Sequence, residues 1–255
     1  MKIGIAGYGF VGKAQELILK DYNDILISDP QQGHYADLQH ADAIIICVST
    51  PEDDNGACDM SNVFDVLESA PNVPILIKST ISLSGWQGIQ NCYVVGVGNV
   101  LEITFSPEFL RAAHWETDAR LQDHIYLGGG NTGYWADLFI GALGNISVSV
   151  AEPQELITAK AVRNSFLATK VAFFNEVYDY CQANNIDYES VADVVGADSR
   201  ITRSHTQITD ERGFGGHCFP KDTKAFTTSA KQQGVELSIL NAAIQYNKNL
   251  RKDNI

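Results

Sequence analysis

The stretch KIGIAGYGFVG, residues 2–12, runs from a short apolar segment through Gly7-x-Gly9-x-x-Gly12 into a helical pattern. Each glycine has a physical task in such a turn. Gly7 permits the tight reversal, Gly9 lets backbone approach a pyrophosphate, and Gly12 lets the helix pack closely on the strand. Phosphates would sit at the helix start, beside Phe10 and Val11, where unpaired N–H groups and the helix dipole favour negative charge. Asp29 ends the next apolar run, about twenty residues on. It either accepts hydrogen bonds from a ribose 2′-hydroxyl, which would select NAD over NADP, or serves as a turn residue before Pro30.

Strand, glycine turn, helix and acid in that order make a Rossmann-type dinucleotide site, with NAD as the expected cofactor. The following sequence agrees with an α/β reading. Short apolar runs at 2–6, 24–28, 43–48, 74–77, 93–95, 103–105, 125–127 and 146–150 predict strands. Helical spacing at 11–20, 61–70, 84–89 and 131–142 predicts crossover helices over a parallel sheet. After Pro153 the texture changes. Apolar residues recur at three- and four-residue spacing through residue 185, predicting one long helix. Further helices are expected over 188–195, after Pro220 and after Val235. The expected organisation is therefore a dinucleotide-binding domain over 1–150 and an all-helical domain over 151–255.

Composition narrows the partners. The 255-residue chain is 45% hydrophobic and 19% charged, in the range of a globular protein. Its 31 acidic against 18 basic residues give a net charge of −13, which repels nucleic-acid backbones. A local loop can still take a phosphorylated small molecule. The N-terminal apolar run is broken by Gly4, Gly7 and Gly9, unlike a signal peptide, and no run is long enough for a membrane span. Five cysteines without a CxxC pair or zinc spacing predict free thiols, no metal and a reducing cytoplasm.

Other strand ends carry hydroxyls. Ser49, Thr50 and Pro51 close one run, and Ser79 and Thr80 another, at the sheet edge where such folds bind ligands. They are either ordinary caps or cofactor contacts. With GYGFVG, several separated segments then resemble one family, the nucleotide-sugar 6-dehydrogenases typified by UDP-glucose and GDP-mannose dehydrogenases. They are ADAIIICVSTP followed by NGACDMS, IKSTIS, SPEFLR, AKAVRNSFLATKVAFFNE, ADSRI and GFGGHCFPKD, and they run in the family's order.

The resemblance implies a four-electron oxidation of a sugar C6 alcohol to a carboxylate with two NAD, UDP-glucose to UDP-glucuronate being the expected conversion. Cys218 matches the nucleophile that captures the aldehyde as a thiohemiacetal and then a thioester. A thiol of ordinary pKa about 8.5 is activated near a helix N-terminus, and Pro220 fits the first turn of a helix starting there. Lys160 and Asn164, four apart on one helical face, match a pair that would stabilise the oxyanion. Asp222 would orient or deprotonate a water or the alcohol. Glu108 matches a glutamate of thioester hydrolysis, and Thr80 a threonine that holds a water. By the same likeness Phe109, Leu110, Arg111, Gly213, Phe214, Gly215 and Gly216 would line the substrate. Arg200 would contact the sugar across a homodimer interface formed by the long helix. His217 is read as a neighbour of the thiol.

Three departures from the family stand out. Ala112 replaces a second family glutamate. Only about a dozen residues separate Asp29 from the strand at Ala43, so the second strand is expected at the sheet edge. The family continues into a third, nucleotide-gripping domain after NAAIQYNKNL, so a shortened form is expected. Two competing readings remain at this level. One is a two-electron hydroxyacid-type dehydrogenase, and the other is a silent NAD-binding remnant or a subunit that needs a partner domain.

Overall fold

The structure, a computed structural model, describes residues 1–53, 56–94, 101–216 and 218–251. Among these, β1 (Lys2–Ala6), β2 (Asp24–Asp29), β3 (His34–Tyr35), β4 (Ala43–Ile46), β5 (Ile75–Ile77), β6 (Ile103–Phe105), β7 (His124–Gly129) and β8 (Ser147–Val150) form one sheet in the order 3-2-1-4-5-6-7-8. The chain leaves β1 toward β2 on one side and returns as β4 on the other. That reversal makes the topological switch at which such sheets bind ligands.

The strand cores are apolar on both faces, as a sheet covered on both sides requires. Ile44, Ile46, Ile75, Ile77, Ile103 and Phe105 face one cluster, shared with α2 (Ser61–Ser69) and α3 (Leu83–Ile89). Ile3, Ala43, Ile45 and Leu76 face the other, shared with α1 (Phe10–Leu19), α4 (Trp115–Arg120) and α5 (Thr132–Leu143). Alternate residues of β4 thus serve opposite cores, the period of two that a pleated strand imposes.

The sheet is mostly rather than wholly parallel. β2 pairs with β3, and β6 with β7, in antiparallel sense. Between β2 and β3 there is only a 3-10 turn over Pro30–Gln32, too short for a parallel crossover. The same hairpin corrects the expectation that β2 forms the edge, because the two-residue β3 covers its outer end. The expected strand at 93–95 is also corrected. Gln90–Val94 continues from α3 as a wide π-helical turn, and Val95 lies outside the described residues. Strand-like composition misled there, since Tyr93 instead stacks on Phe64 of α2 at 6.4 Å. The short α4 was not anticipated.

The chain divides into two compact units, and the division falls after Lys160, inside α6 (Pro153–Ala183). The second unit continues with α7 (Tyr188–Gly196), α8 (Phe219–Gln232) and α9 (Ser238–Leu250). Its length of 31 residues makes α6 about 46 Å long. Side chains along it hold the segments that follow. Lys170 donates to the carbonyls of Ile201 and Thr202 at 2.6 and 3.2 Å. Asp179 accepts from Arg212 at 2.7 Å and from the Tyr246 hydroxyl at 3.0 Å.

Candidate functional site

Geometry at the glycine turn matches its chemistry. Gly7 adopts φ +88°, and a Cβ there would lie 2.7 Å from the backbone of Cys47, directly after β4. A Cβ on Gly12 would run into the Gly7 carbonyl. Gly9 caps α1 and has nothing within 4 Å of where a Cβ would stand. Two glycines therefore fold the turn tightly, and the third leaves open the place where a pyrophosphate meets the first N–H groups of α1, those of Phe10 and Val11. The residues present fit a dinucleotide.

Asp29 serves the turn as well. Its Oδ2 accepts from the Tyr8 backbone N–H at 2.7 Å and from Gln32 Nε2 at 3.0 Å, and its Oδ1 accepts from Gln32 N–H at 3.2 Å. A carboxylate oxygen has two lone pairs, so capacity for a ribose hydroxyl remains. Tyr8, missed in the sequence, packs its ring edge-on to His34 at 4.6 Å and donates its hydroxyl to Glu16. Burial first, and then that acidic partner, push the Tyr8 hydroxyl up to about 12.

The strand-end hydroxyls are largely spent on backbone. Thr50 donates to the Thr80 carbonyl and Ser79 to the Val48 carbonyl, both at 2.7 Å, tying the β4 and β5 ends together. The exposed Ser49 and Pro51 lie on the same loop, and the Ser49 carbonyl accepts from Asn62 at 2.9 Å. The half-buried Thr80 hydroxyl has no hydrogen-bond partner among the described residues, which leaves it available to a ligand or water.

Glu108, after β6, is the centre of a buried polar cluster. Its Oε1 accepts from the N–H groups of Phe109 and Leu110 at 2.8 and 3.3 Å. Its Oε2 lies 3.2 Å from Lys78 Nζ and 3.4 Å from Gln15 Nε2. Lys78 is 1% exposed and also donates to Ser106 at 3.3 Å. Burial pushes the nearby Cys47 thiol up, with Lys78 opposing and Glu108 adding, so this cysteine stays protonated. Lys78 and Gln15 were missed. The visible signal was a lysine directly ending the apolar run PILI. Arg111 turns outward and pairs bidentately with Asp118 at 2.6 and 3.0 Å, Phe109 packs edge-on to Tyr126, and Leu110 leans on the core.

In the second unit, Cys218 is the N-cap of α8, with Pro220 in the first turn. One turn on, the buried Asp222 donates its N–H to the Cys218 carbonyl at 2.8 Å. Asn164 of α6 donates to Asp222 Oδ2 at 2.6 Å, and Lys221 to Oδ1 at 2.8 Å. The carboxylate and the amide are thus joined across two helices, and Cys218 lies one helical turn before the carboxylate on α8. Lys160, the last residue of the first unit, lies buried on α6, one turn before Asn164. Arg200 is exposed and paired with Asp198 of its own turn at 2.9 Å, with no hydrogen bond to the Cys218 group among the described residues. His217 lies outside the described residues.

The glycine-rich approach to Cys218 is bound to the chain itself. Gly213 has φ +59°, and a Cβ there would meet Asn247. One on Gly215 would lie 2.5 Å from the Arg251 guanidinium, whereas Gly216, φ +76°, faces open space. Phe214 is buried between Ala168, Ala172 and Ala243. Asn175, Asn247 and Arg251 were not singled out from the sequence.

A strand, a glycine turn and an open helix start at the switch of a mostly parallel sheet define a dinucleotide-binding protein of the Rossmann class. Residues 30–137 match the NAD binding domain, and residues 155–249 the central domain, of one family. The chain belongs to the UDP-glucose/GDP-mannose dehydrogenase family. It is 32% identical over 222 residues to the UDP-glucose 6-dehydrogenase of Rickettsia conorii, covering 83% of this chain and 50% of that protein. The chain spans about half the length of the curated relatives it matches. In fold it is similar to a UDP-glucose dehydrogenase from Pyrobaculum islandicum, with TM-score 0.81, 22% identity and coverage of 97% of this chain and 68% of that one. It is also similar to a UDP-D-ManNAc dehydrogenase from Pyrococcus horikoshii, with TM-score 0.79, 17% identity and coverage of 98% and 69%. No described helix is long and apolar enough to cross a membrane.

Proposed function

We propose that the protein is an NAD-dependent nucleotide-sugar 6-dehydrogenase, converting a sugar C6 alcohol to the carboxylate, with UDP-glucose as the first substrate to test. The observation that carries this reading is the Cys218–Asp222–Asn164 group at the start of α8. Family membership and the glycine cradle support NAD, held by residues 1–150, with residues 151–255 supplying the thiol and the dimer contact.

Bound NAD would supply the hydride acceptor for each of the two oxidations. The alcohol first loses a hydride and a proton to become an aldehyde. Cys218 then adds as thiolate to that carbon, and the new C–S bond holds it while a second hydride leaves. Water displaces the sulfur from the resulting thioester, releasing the carboxylate and regenerating the thiol. Asp222, kept in place by Asn164 and Lys221, serves as proton acceptor. Lys160 and the second N–H of Asn164 stabilise the oxyanion. Thr80 holds the water. Glu108, already engaged by four donors, must release one of them to act on that water, and it also orders the loop bearing Phe109, Leu110 and Arg111.

Homodimerisation through α6 is supported by exposed apolar side chains at Val162, Phe166, Phe173 and Tyr180, spaced four and seven residues apart along it. Arg200 would then reach the partner's substrate. Five cysteines without a CxxC pair support a cytoplasmic setting. The test counts NADH formed per UDP-glucose consumed, with GDP-mannose and UDP-N-acetylhexosamines alongside. Two NADH per sugar and no acid from Cys218→Ala are expected. One NADH per sugar, or full turnover by Cys218→Ala, would refute the mechanism.

A further inference from the structure

The segment leading to Cys218 is held at successive backbone positions by two asparagines far away in sequence. Asn175, on α6 and 1% exposed, accepts at Oδ1 from the Gly213 N–H at 3.1 Å and from Arg212 Nε at 2.8 Å. Its Nδ2 donates to the Val171 carbonyl at 2.9 Å, which fixes the amide's orientation. Asn247, on α9 and 5% exposed, does the complementary thing at the next residue. Its Oδ1 accepts from the Phe214 N–H at 2.7 Å, and its Nδ2 donates to the Phe214 carbonyl at 2.9 Å. Arg251, at the end of α9, donates to the Arg212 carbonyl at 3.3 Å and lies over Gly215. Phe214, held at both its peptide groups, packs edge-on to Phe219, the residue directly after Cys218.

We infer that Asn247 and Asn175, assisted by Arg251, are positioning residues for Cys218: they lock the 212–215 backbone in one register and, through Phe214 against Phe219, seat the thiol at the α8 N-terminus. Burial alone does not explain this arrangement. An apolar residue would fill either site without pairing buried peptide groups, and those groups carry a penalty if left unpaired. The asparagine amide is the short side chain that can accept from a backbone N–H and donate to the C=O of the same residue. Gly213 and Gly215 are needed for the same reason, since side chains there would displace Asn247 and Arg251. As positioning of a nucleophile, the inference rests on the dehydrogenase reading above, but its test needs neither NAD nor sugar.

The full chain is treated with iodoacetamide between pH 6 and 10, and alkylation of Cys218 is followed by peptide mass. Amide exchange of the 212–216 peptide is measured in parallel. Asn247→Leu is expected to speed exchange of that peptide about tenfold and to raise the midpoint of the Cys218 rate–pH profile by about half a unit, because the thiol leaves the helix start. Asn175→Leu is expected to act in the same direction. Asn175→Asp keeps the acceptor for Gly213 and Arg212 and is expected to restore most of the profile. Asn247→Asp keeps only one of its two bonds and is expected not to. The exposed Asn249→Asp on the same helix is the control. An unchanged profile and unchanged exchange in folded Asn247→Leu would overturn the inference. Should that variant not fold, a wild-type profile in Asn247→Asp would overturn it equally. Absence of sugar oxidation by the wild type would sink the dehydrogenase reading and leave these alkylation results standing.

Discussion

Replacing Lys78 by methionine removes a charge while keeping the length and packing of the stem. The Nζ it deletes lies 3.2 Å from Glu108 Oε2, with both side chains almost wholly buried. At an effective dielectric of about 20, two unit charges at that distance attract by about 5 kcal/mol, and breaking a buried pair from one side costs about 3–5 kcal/mol. Glu108 would keep the N–H groups of Phe109 and Leu110, but its Oε2 would face only Gln15 at 3.4 Å. Lys78→Met should therefore destabilise the first unit by about 3–5 kcal/mol. Glu108→Gln added to it leaves no unpaired charge and should return about 2 kcal/mol or more of that loss. The assay is urea unfolding followed by tryptophan fluorescence. It isolates the first unit because the chain's three tryptophans, Trp86, Trp115 and Trp135, all lie there. Strictly additive costs in the double variant would refute the claim that Lys78 and Glu108 act as a pair.

Two further outcomes follow from the first unit. Gly12→Ala drives a Cβ into the Gly7 carbonyl and should both destabilise the unit and weaken NAD binding about ten- to hundredfold. Gly9→Ala, with open space around it, should weaken binding without changing stability, and calorimetric titration with unfolding curves separates the two. Asp118 is held below the usual carboxylate range, first by its hydrogen bond from the Arg111 side chain. A depressed folded-state pKa gives stability that is present above the unfolded value of about 3.9 and lost as pH falls through the folded one. Asp118→Asn should thus flatten the acid limb of a stability curve taken from pH 6 to 2, and an unchanged limb would count against the Arg111 pairing.

What the sequence disclosed and what it hid divide by the range of the interactions. Gly7, Gly9, Gly12 and Asp29 were readable because their chemistry is set within a strand and a turn. Cys218 and Asp222 stood out through the likeness of GFGGHCFPKD to the family, a local stretch in which the two lie one turn apart at a helix start. The Lys78–Glu108 pair and the asparagines holding 213–214 span 30, 38 and 33 residues of sequence, and no local pattern connects such partners. Gly213 and Gly215 show the difference within a single motif. By the family likeness they would line the substrate, and in the fold their missing side chains also make room for Asn247 and Arg251. The 93–95 segment failed for the opposite reason, because its local preference for strand lost to the packing of Tyr93 on Phe64.

Asn164, Lys170, Asn175 and Asp179 lie along one unbroken helix and hold three downstream segments, at Asp222, at 201–202 and at 212–213. Each added residue turns a helix by about 100° and lengthens it by about 1.5 Å. One insertion between Asn164 and Asp179 would therefore swing the later side chains away from their segments together, although every residue type was kept. In this part of α6 a functional variant has to preserve the spacing of these residues as well as their identity, so a change in helix length should disturb the segments they hold all at once.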